Sequence, residues 1–130
     1  MISYLLVDEQ KKPTISEFSF AMTNIRLLCP DGKKASLKLQ AITDMNADIH
    51  VIVDSRLDTI GLKKWRKTNK QVISKYNIYG NYSKIRGVTI LAKRSIEVTI
   101  STVINVDDKN KVTFRMTMGG RTLGEIILIM

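Results

Sequence analysis

The sequence predicts an α/β protein of the α+β kind, with a layered, sandwich-type fold, a mostly antiparallel sheet and two helices. Two segments have apolar residues at helical spacing, and a short run rich in β-branched residues lies between them. Several strand-like runs then follow one another with turn residues between them. The order of strand, helix, strand, helix and then several strands is typical of helices packed on a sheet.

The first strand and the first helix are predicted within residues 18–46. Phe18–Leu28 alternates apolar and polar residues and then becomes continuously apolar, which favours a strand that enters a core. From Lys33 to Asn46, apolar residues recur every three or four positions and form one stripe on a helix. The stripe consists of Ala35, Leu39, Ile42 and Met45. We expect this helix to pack on a sheet.

The second strand and the second helix follow. Ile49–Val53 is a short β-branched run bounded by Asp48 and Asp54, which is typical of a buried strand. His50 lies on this strand and is predicted to be a packed or hydrogen-bonded histidine. A helix is predicted over Ile60–Tyr76, with its basic residues pointing outward. Its apolar face consists of Leu62, Trp65, Val72, Ile73 and Tyr76.

Strand-like runs make up the rest of the sequence. They are Val88–Ala92, Ile96–Val106, Lys111–Met118 and Arg121–Met130. Gly119 and Gly120 are a turn signal, so the last three runs are predicted to form an antiparallel meander. The final run stays apolar to its last residue, and we therefore expect residues 1–130 to form a single, incomplete domain. Residues 1–16 are expected to be a flexible extension or an edge strand.

The net charge of +9 is concentrated in one segment. Thr59–Ile96 contains ten basic residues and no acidic one, whereas the other residues carry eleven basic and twelve acidic side chains. A localised basic surface is typical of proteins that bind phosphate backbones. A solvated helix face and a contact for an acidic partner are the alternatives. The candidates for nucleic-acid contact from this segment are Lys63, Lys64, Arg66, Lys67, Lys70 and Lys84.

Cysteine content and hydropathy indicate the compartment. Cys29 is the only cysteine, which excludes an intrachain disulfide and a zinc site built from cysteines. No apolar run approaches the roughly 20 residues of a membrane span. We expect a soluble intracellular protein, nuclear or cytoplasmic, without a membrane partner.

Three segments resemble retrotransposon endonucleases of the exonuclease-endonuclease-phosphatase family. Ala47–Leu57, with the sequence ADIHVIVDSRL, is similar to a family signature of Asp-Ile, hydrophobic strand, acidic residue, small residue, basic residue and leucine. Ser83–Leu91, with the sequence SKIRGVTIL, resembles a later strand of that family. Lys111–Met130 resembles the hairpin that precedes its catalytic tyrosine segment. The likeness covers most of Phe18–Met130.

The resemblance implies the amino-terminal half of a metal-dependent endonuclease domain. Asp54 and Asn24 would be the catalytic residues, with Asp54 as the ligand of Mg²⁺ or Mn²⁺ and Asn24 positioning metal-bound water or phosphate. Arg56 and Arg86 would contact the nucleic-acid backbone, DNA being favoured over RNA. The family has glutamate at the position of Asp54, and its later Tyr, Asp-x-Asn and Ser-Asp-His elements have no counterpart in this sequence. We therefore expect the isolated chain to be inactive.

Three functions remain open from the sequence. The first is an endonuclease-like, nucleic-acid-binding module whose site is completed by further polypeptide or a partner chain. The second is a noncatalytic nucleic-acid-binding or structural module that keeps the basic face and needs no cofactor. The third is a small virion or assembly protein whose last strand is covered by a neighbouring subunit.

Overall fold

The computed structural model describes residues 2–7, 18–28, 32–104 and 110–129, and it confirms the mixed α/β class. The described residues form two mostly antiparallel sheets and three helices. In chain order the elements are β1 (Ile2–Val7), β2 (Phe20–Asn24), α1 (Gly32–Thr43), β3 (Ile49–Val53), α2 (Thr59–Thr68), α3 (Lys70–Ile73), β4 (Tyr76–Asn81), β5 (Val88–Lys93), β6 (Thr99–Val103), β7 (Lys111–Met118) and β8 (Arg121–Ile129).

The chain divides into two compact units. Ser19–Ile96 forms one of them, and the other contains β1 together with β6, β7 and β8. In the second unit the strand order is β1-β8-β7-β6, with every neighbouring pair antiparallel. The predicted meander of the last three strands is confirmed, and its turn contains Gly119 and Gly120, both with positive φ. Residues 8–17, within which part of the predicted extension falls, lie outside the described residues.

The unit of Ser19–Ile96 is a four-stranded sheet with helices packed on one face. Its strand order is β2-β3-β5-β4; β2 is parallel to β3 and the other pairs are antiparallel. Leu39 of α1, Trp65 of α2 and Leu91 of β5 are fully buried in one apolar core. Burial of each such side chain stabilises the fold by about 1.5–3 kcal/mol. This core thus holds the helices against the sheet and positions the ends of its strands.

Helix ends follow local hydrogen bonding. Asp58 caps α2, because its side chain accepts a hydrogen bond from the backbone N–H of Gly61 at 2.7 Å. The predicted helix of residues 33–46 is confirmed over Gly32–Thr43. Met45, placed by its spacing on the buried stripe, lies beyond the helix and is 48% exposed, so this part of the prediction is wrong.

The predicted helix of Ile60–Tyr76 is confirmed in part, by α2 and by α3, but the prediction of one continuous helix that reaches Tyr76 is wrong. Helix α2 ends at Thr68, α3 is a separate short helix, and Tyr76 begins the strand β4, which was not predicted. The break lies at Asn69, whose φ of −111° and ψ of 26° depart from helical values. Its side-chain amide donates to the carbonyl of Trp65 at 3.0 Å. The first predicted strand is also shorter than Phe18–Leu28 and ends at Asn24, before a left-handed residue at Arg26.

Candidate nucleic-acid interface

Asn24 and Asp54 lie at the same edge of the sheet. In the parallel pair β2–β3, Asn24 is opposite Val53, and Asp54 is the residue that follows. The two predicted catalytic residues thus lie at the ends of adjacent strands. We call this region, residues 24–28, 54–58 and 83–87, the carboxyl edge.

Backbone hydrogen bonds join the three segments of the carboxyl edge. The N–H of Leu28 donates to the carbonyl of Ser55 at 2.9 Å, and the N–H of Arg56 donates to the carbonyl of Arg86 at 2.7 Å. Beneath them the hydroxyl of Thr89 donates to the buried hydroxyl of Ser55 at 3.0 Å. These hydrogen bonds within the fold thus hold the loops together.

Four residues of the carboxyl edge that are not glycine have φ close to +60°, in the left-handed region. They are Arg26, Asp54, Arg56 and Arg86, with φ of 59°, 58°, 53° and 68°. A side chain in this conformation costs about 1–2 kcal/mol per residue. Strained residues of this kind concentrate at functional sites. Three of these four residues are arginines, so the backbone strain is found at residues with positively charged side chains.

Asp54, the predicted metal ligand, forms an ion pair with Arg56. Nε of Arg56 donates to Oδ1 of Asp54 at 3.0 Å, and Nη2 donates to Oδ2 at 3.2 Å. Hydrogen bonding to Asp54 raises the pKa of Arg56. The side chain of Asp54 is 14% exposed, whereas that of Arg56 is 44% exposed. Both oxygens of the Asp54 carboxylate thus accept a hydrogen bond from Arg56.

The described residues do not fit a divalent metal ion. Mg²⁺ binds several oxygen ligands in a near-octahedral arrangement. Within the described ranges, no group of three or more histidine, cysteine, aspartate or glutamate side chains could hold a metal. Asn24 and Asp54 alone supply too few oxygens, and both oxygens of Asp54 already accept hydrogen bonds from Arg56.

Lys84 belongs to the carboxyl edge as well. Its Nζ lies 3.6 Å from Oδ2 of Asp58, the residue that caps α2, in an exposed ion pair. The hydrogen bond from the N–H of Gly61 lowers the pKa of Asp58. Arg56, Lys84 and Arg86, three of the predicted nucleic-acid contacts, therefore lie at this edge.

The other five predicted contacts lie together in an open groove of about 710 Å³, which we call the basic groove. It is lined by Lys63, Lys64, Arg66, Lys67, Lys70, Ile73, Ser74, Ile78 and Arg94. All six cationic residues are exposed, so the prediction that the basic face of this helical segment points outward is confirmed. Arg94 was not among the candidates, although its position in the all-basic segment was the signal that could have found it.

Arg94 is fixed by the turn after β5. Its backbone N–H donates to the carbonyl of Lys75 at 2.9 Å, and its Nε donates to the carbonyl of Tyr76 at 3.2 Å. Because a neutral carbonyl leaves the positive charge uncompensated, Arg94 adds to the charge of the groove. Among the described residues, none of the six groove cations forms an ion pair.

A second groove, of about 760 Å³, lies on the other side of α3, and we call it the polar groove. It is lined by Gln40, Thr43, Asp44, Asn46, Gln71, Val72, Lys75, Tyr76, Lys93 and Ser95. Lys93 donates to Oδ1 of Asn46 at 3.0 Å and lies 4.0 Å from Asp48. Its Gln and Asn residues are isolated in the sequence and form no pattern from which this groove could be predicted.

His50 lies beside the polar groove but inside the core. Its ring packs edge-on against Tyr76, with centroids 5.8 Å apart, and it is 1% exposed. Burial and the nearby charge of Lys93 lower its pKa. Neither ring nitrogen has a hydrogen-bond partner among the described residues, so the prediction of a packed histidine is confirmed.

Comparison with protein-family models and with curated proteins found no match. The resemblance to endonucleases thus stands on the quoted motifs alone. Among the helices that the structure describes, none has the length and apolar character needed to cross a membrane.

Proposed function

We propose that this chain is a nucleic-acid-binding module that holds the phosphate backbone in the basic groove. The observation that carries the proposal is the convergence of six exposed cationic side chains, without an acidic residue, on one concave surface. Phosphates neutralised by lysine and arginine release condensed counterions, which makes such a surface favourable for a polyanion.

The charge arrangement costs stability in the absence of a ligand. Lys63 and Lys67 are four residues apart on α2, and like charges at this spacing destabilise a helix by roughly 0.2–0.5 kcal/mol. The described part of the chain supplies no carboxylate to offset the groove cations. An anionic partner is the simplest chemical reason to keep them together.

A second candidate is an endonuclease-like hydrolase with its centre at the carboxyl edge. The position of Asn24 and Asp54 at the ends of adjacent parallel strands favours it. The pairing of Asp54 with Arg56 and the small number of oxygen ligands weigh against metal-dependent catalysis by these residues alone. Binding is therefore the function that we propose first, and hydrolysis would need ligands from further residues.

The test is the salt dependence of DNA and RNA affinity. The variant Lys63→Gln/Lys67→Gln removes two charges from the groove, and Lys33→Gln/Lys34→Gln removes two exposed charges from α1. Loss of two phosphate contacts should reduce the slope of log K against log salt by about 1.4–1.8 in the first variant. The second should keep the wild-type slope.

Equal affinities and slopes for both variants would contradict the proposal, because binding would then depend on overall charge rather than on the groove. Circular dichroism of both variants checks that the helices remain folded. We expect little change, since the substituted side chains are exposed.

A further inference from the structure

The helix α3 and the two residues after it lie between the two grooves and contribute side chains to both. Lys70 and Ser74 line the basic groove, whereas Gln71 and Lys75 line the polar groove. The turn after β5 alternates similarly, with Arg94 in the basic groove and its two sequence neighbours in the polar groove. A ligand that leaves one groove across this narrow ridge therefore enters the other.

The two linings differ in chemistry. The basic groove presents cations and apolar carbons, which suit phosphates. The polar groove contains the amides of Gln40, Asn46 and Gln71, with two lysines and one aspartate. Amides donate and accept hydrogen bonds at once and pair with the edges of nucleobases.

Two of these three side-chain amides are already held by hydrogen bonds. Nε2 of Gln40 donates to Asp44 at 2.7 Å, and Oδ1 of Asn46 accepts from Lys93, which fixes both side chains. Within the described part of the chain, the exposed side chain of Gln71 makes no hydrogen bond. Gln71 is thus the amide most available to a ligand.

The shape of the polar groove selects the form of nucleic acid. A duplex is read by a convex element that enters its groove, because the base edges lie inside it. A concave site of this volume, within the roughly 300–1,000 Å³ of ligand pockets, instead receives a group that projects outward. Bases project in this way from an unpaired strand.

We propose that the two grooves together bind single-stranded nucleic acid, with phosphates in the basic groove and a base in the polar groove. This inference rests on the proposed function and specifies its substrate class. DNA and RNA share the chemistry that it uses, and the experiment below separates them.

The experiment measures fluorescence anisotropy of labelled oligonucleotides of about 12 nucleotides, a length within the range of single-strand sites. The ligands are oligo-dA, oligo-dT, oligo-rA and a duplex of equal length, with inorganic polyphosphate as an unlabelled competitor. We expect single strands to bind more tightly than the duplex and to differ with base. Tighter binding of oligo-rA than oligo-dA would identify RNA as the partner, and the reverse would identify DNA.

The variant Gln71→Ala should reduce the difference between oligo-dA and oligo-dT by about fivefold or more, the discrimination of one bidentate amide contact. Displacement by polyphosphate should not change. The control Ser36→Ala alters an exposed side chain of α1 that lines neither groove and should behave as wild type.

Duplex binding as tight as single-strand binding would overturn the inference. So would equal affinity for oligo-dA and oligo-dT, or a base preference that persists in Gln71→Ala. Failure of the wild-type chain to bind any oligonucleotide or polyphosphate is a different result, because it would refute the proposed function itself.

Discussion

Arg56 holds the carboxylate of Asp54 through two hydrogen bonds, of 3.0 and 3.2 Å, although both residues have left-handed backbones. Each oxygen of this carboxylate keeps a second lone pair, but the guanidinium charge beside it disfavours the approach of a divalent cation. Asp54 therefore has two alternative roles: it could be a ligand of a divalent ion, or it could be the residue that orients Arg56.

The first prediction concerns this choice. Mg²⁺ at about 10 mM should stabilise the chain no more than sodium chloride of equal ionic strength. A ligand stabilises the folded state only when its concentration exceeds its Kd, and a site with so few oxygen ligands should have a high Kd for Mg²⁺. The purified chain should also fail to nick plasmid DNA. Thermal unfolding and a plasmid assay measure the two effects. A stabilisation specific to Mg²⁺, lost together with nicking in Asp54→Asn, would make Asp54 a metal ligand.

The second prediction concerns the close approach at Gly87. Gly87 has a φ of +69°, and an added Cβ would lie 2.8 Å from the carbonyl oxygen of Ser83. Gly87→Ala should destabilise the protein by more than the roughly 1–2 kcal/mol of left-handed strain alone. Gly119→Ala is the control, since Gly119 has a similar φ of +57° and nothing within 4 Å. Equal losses in urea unfolding would argue against crowding at Gly87.

The third prediction concerns Trp65, which is fully buried. Trp65→Ala should cost about 3–5 kcal/mol through loss of packing. Trp65→Phe should cost less than half of that, because the indole N–H has no hydrogen-bond partner among the described residues. Ile60→Ala, at an exposed position of the same helix, should change stability by no more than about 0.5 kcal/mol. Urea unfolding followed by circular dichroism tests all three, and equal costs for Trp65→Ala and Trp65→Phe would contradict the prediction.

The fourth prediction concerns pH. The pKa of His50 is lowered by burial and by Lys93 from its ordinary value of 6.5. As the pH falls below about 6.5, the unfolded chain binds a proton that the folded chain does not, so the free energy of unfolding decreases until the pH passes the folded pKa. His50→Leu should lack this decrease.

Urea unfolding at several pH values between about 7.5 and 5 measures the effect on both proteins. Their carboxylates are the same, so the difference between the two pH profiles reports His50. Parallel profiles would show that the imidazole does not titrate differently in the folded state.

Much of the fold could be predicted because its signals are local and periodic. Ala35, Leu39 and Ile42 follow the helical repeat, and all three are buried. The strand of Ile49–Val53 is buried at every position, as its β-branched run indicates. β4 was not predicted because the spacing of Val72, Ile73 and Tyr76 is compatible with two structures. One is a continuous helix, and the other is a helix that ends before a strand.

The site was predictable in part. The juxtaposition of Asn24 and Asp54 follows from the parallel pairing of adjacent strands. The pairing of Asp54 with Arg56 does not, because it accompanies left-handed backbone conformations at both residues that no pattern in the sequence reveals. The break at Asn69 is equally hidden, since no pattern in the sequence signals the non-helical φ and ψ of this residue.

The pairing of β1 with β8 has a consequence for how the chain is synthesised. Ile2 lies opposite Ile129, so β1 pairs with a strand that leaves the ribosome 127 residues later (129 − 2). At about 5–20 residues per second, β1 waits roughly 6–25 s for its neighbour. Closing so long a loop carries an entropic cost that β6, β7 and β8 do not incur among themselves. We therefore expect β1 to join its sheet late and to be the strand most dependent on chaperones during translation.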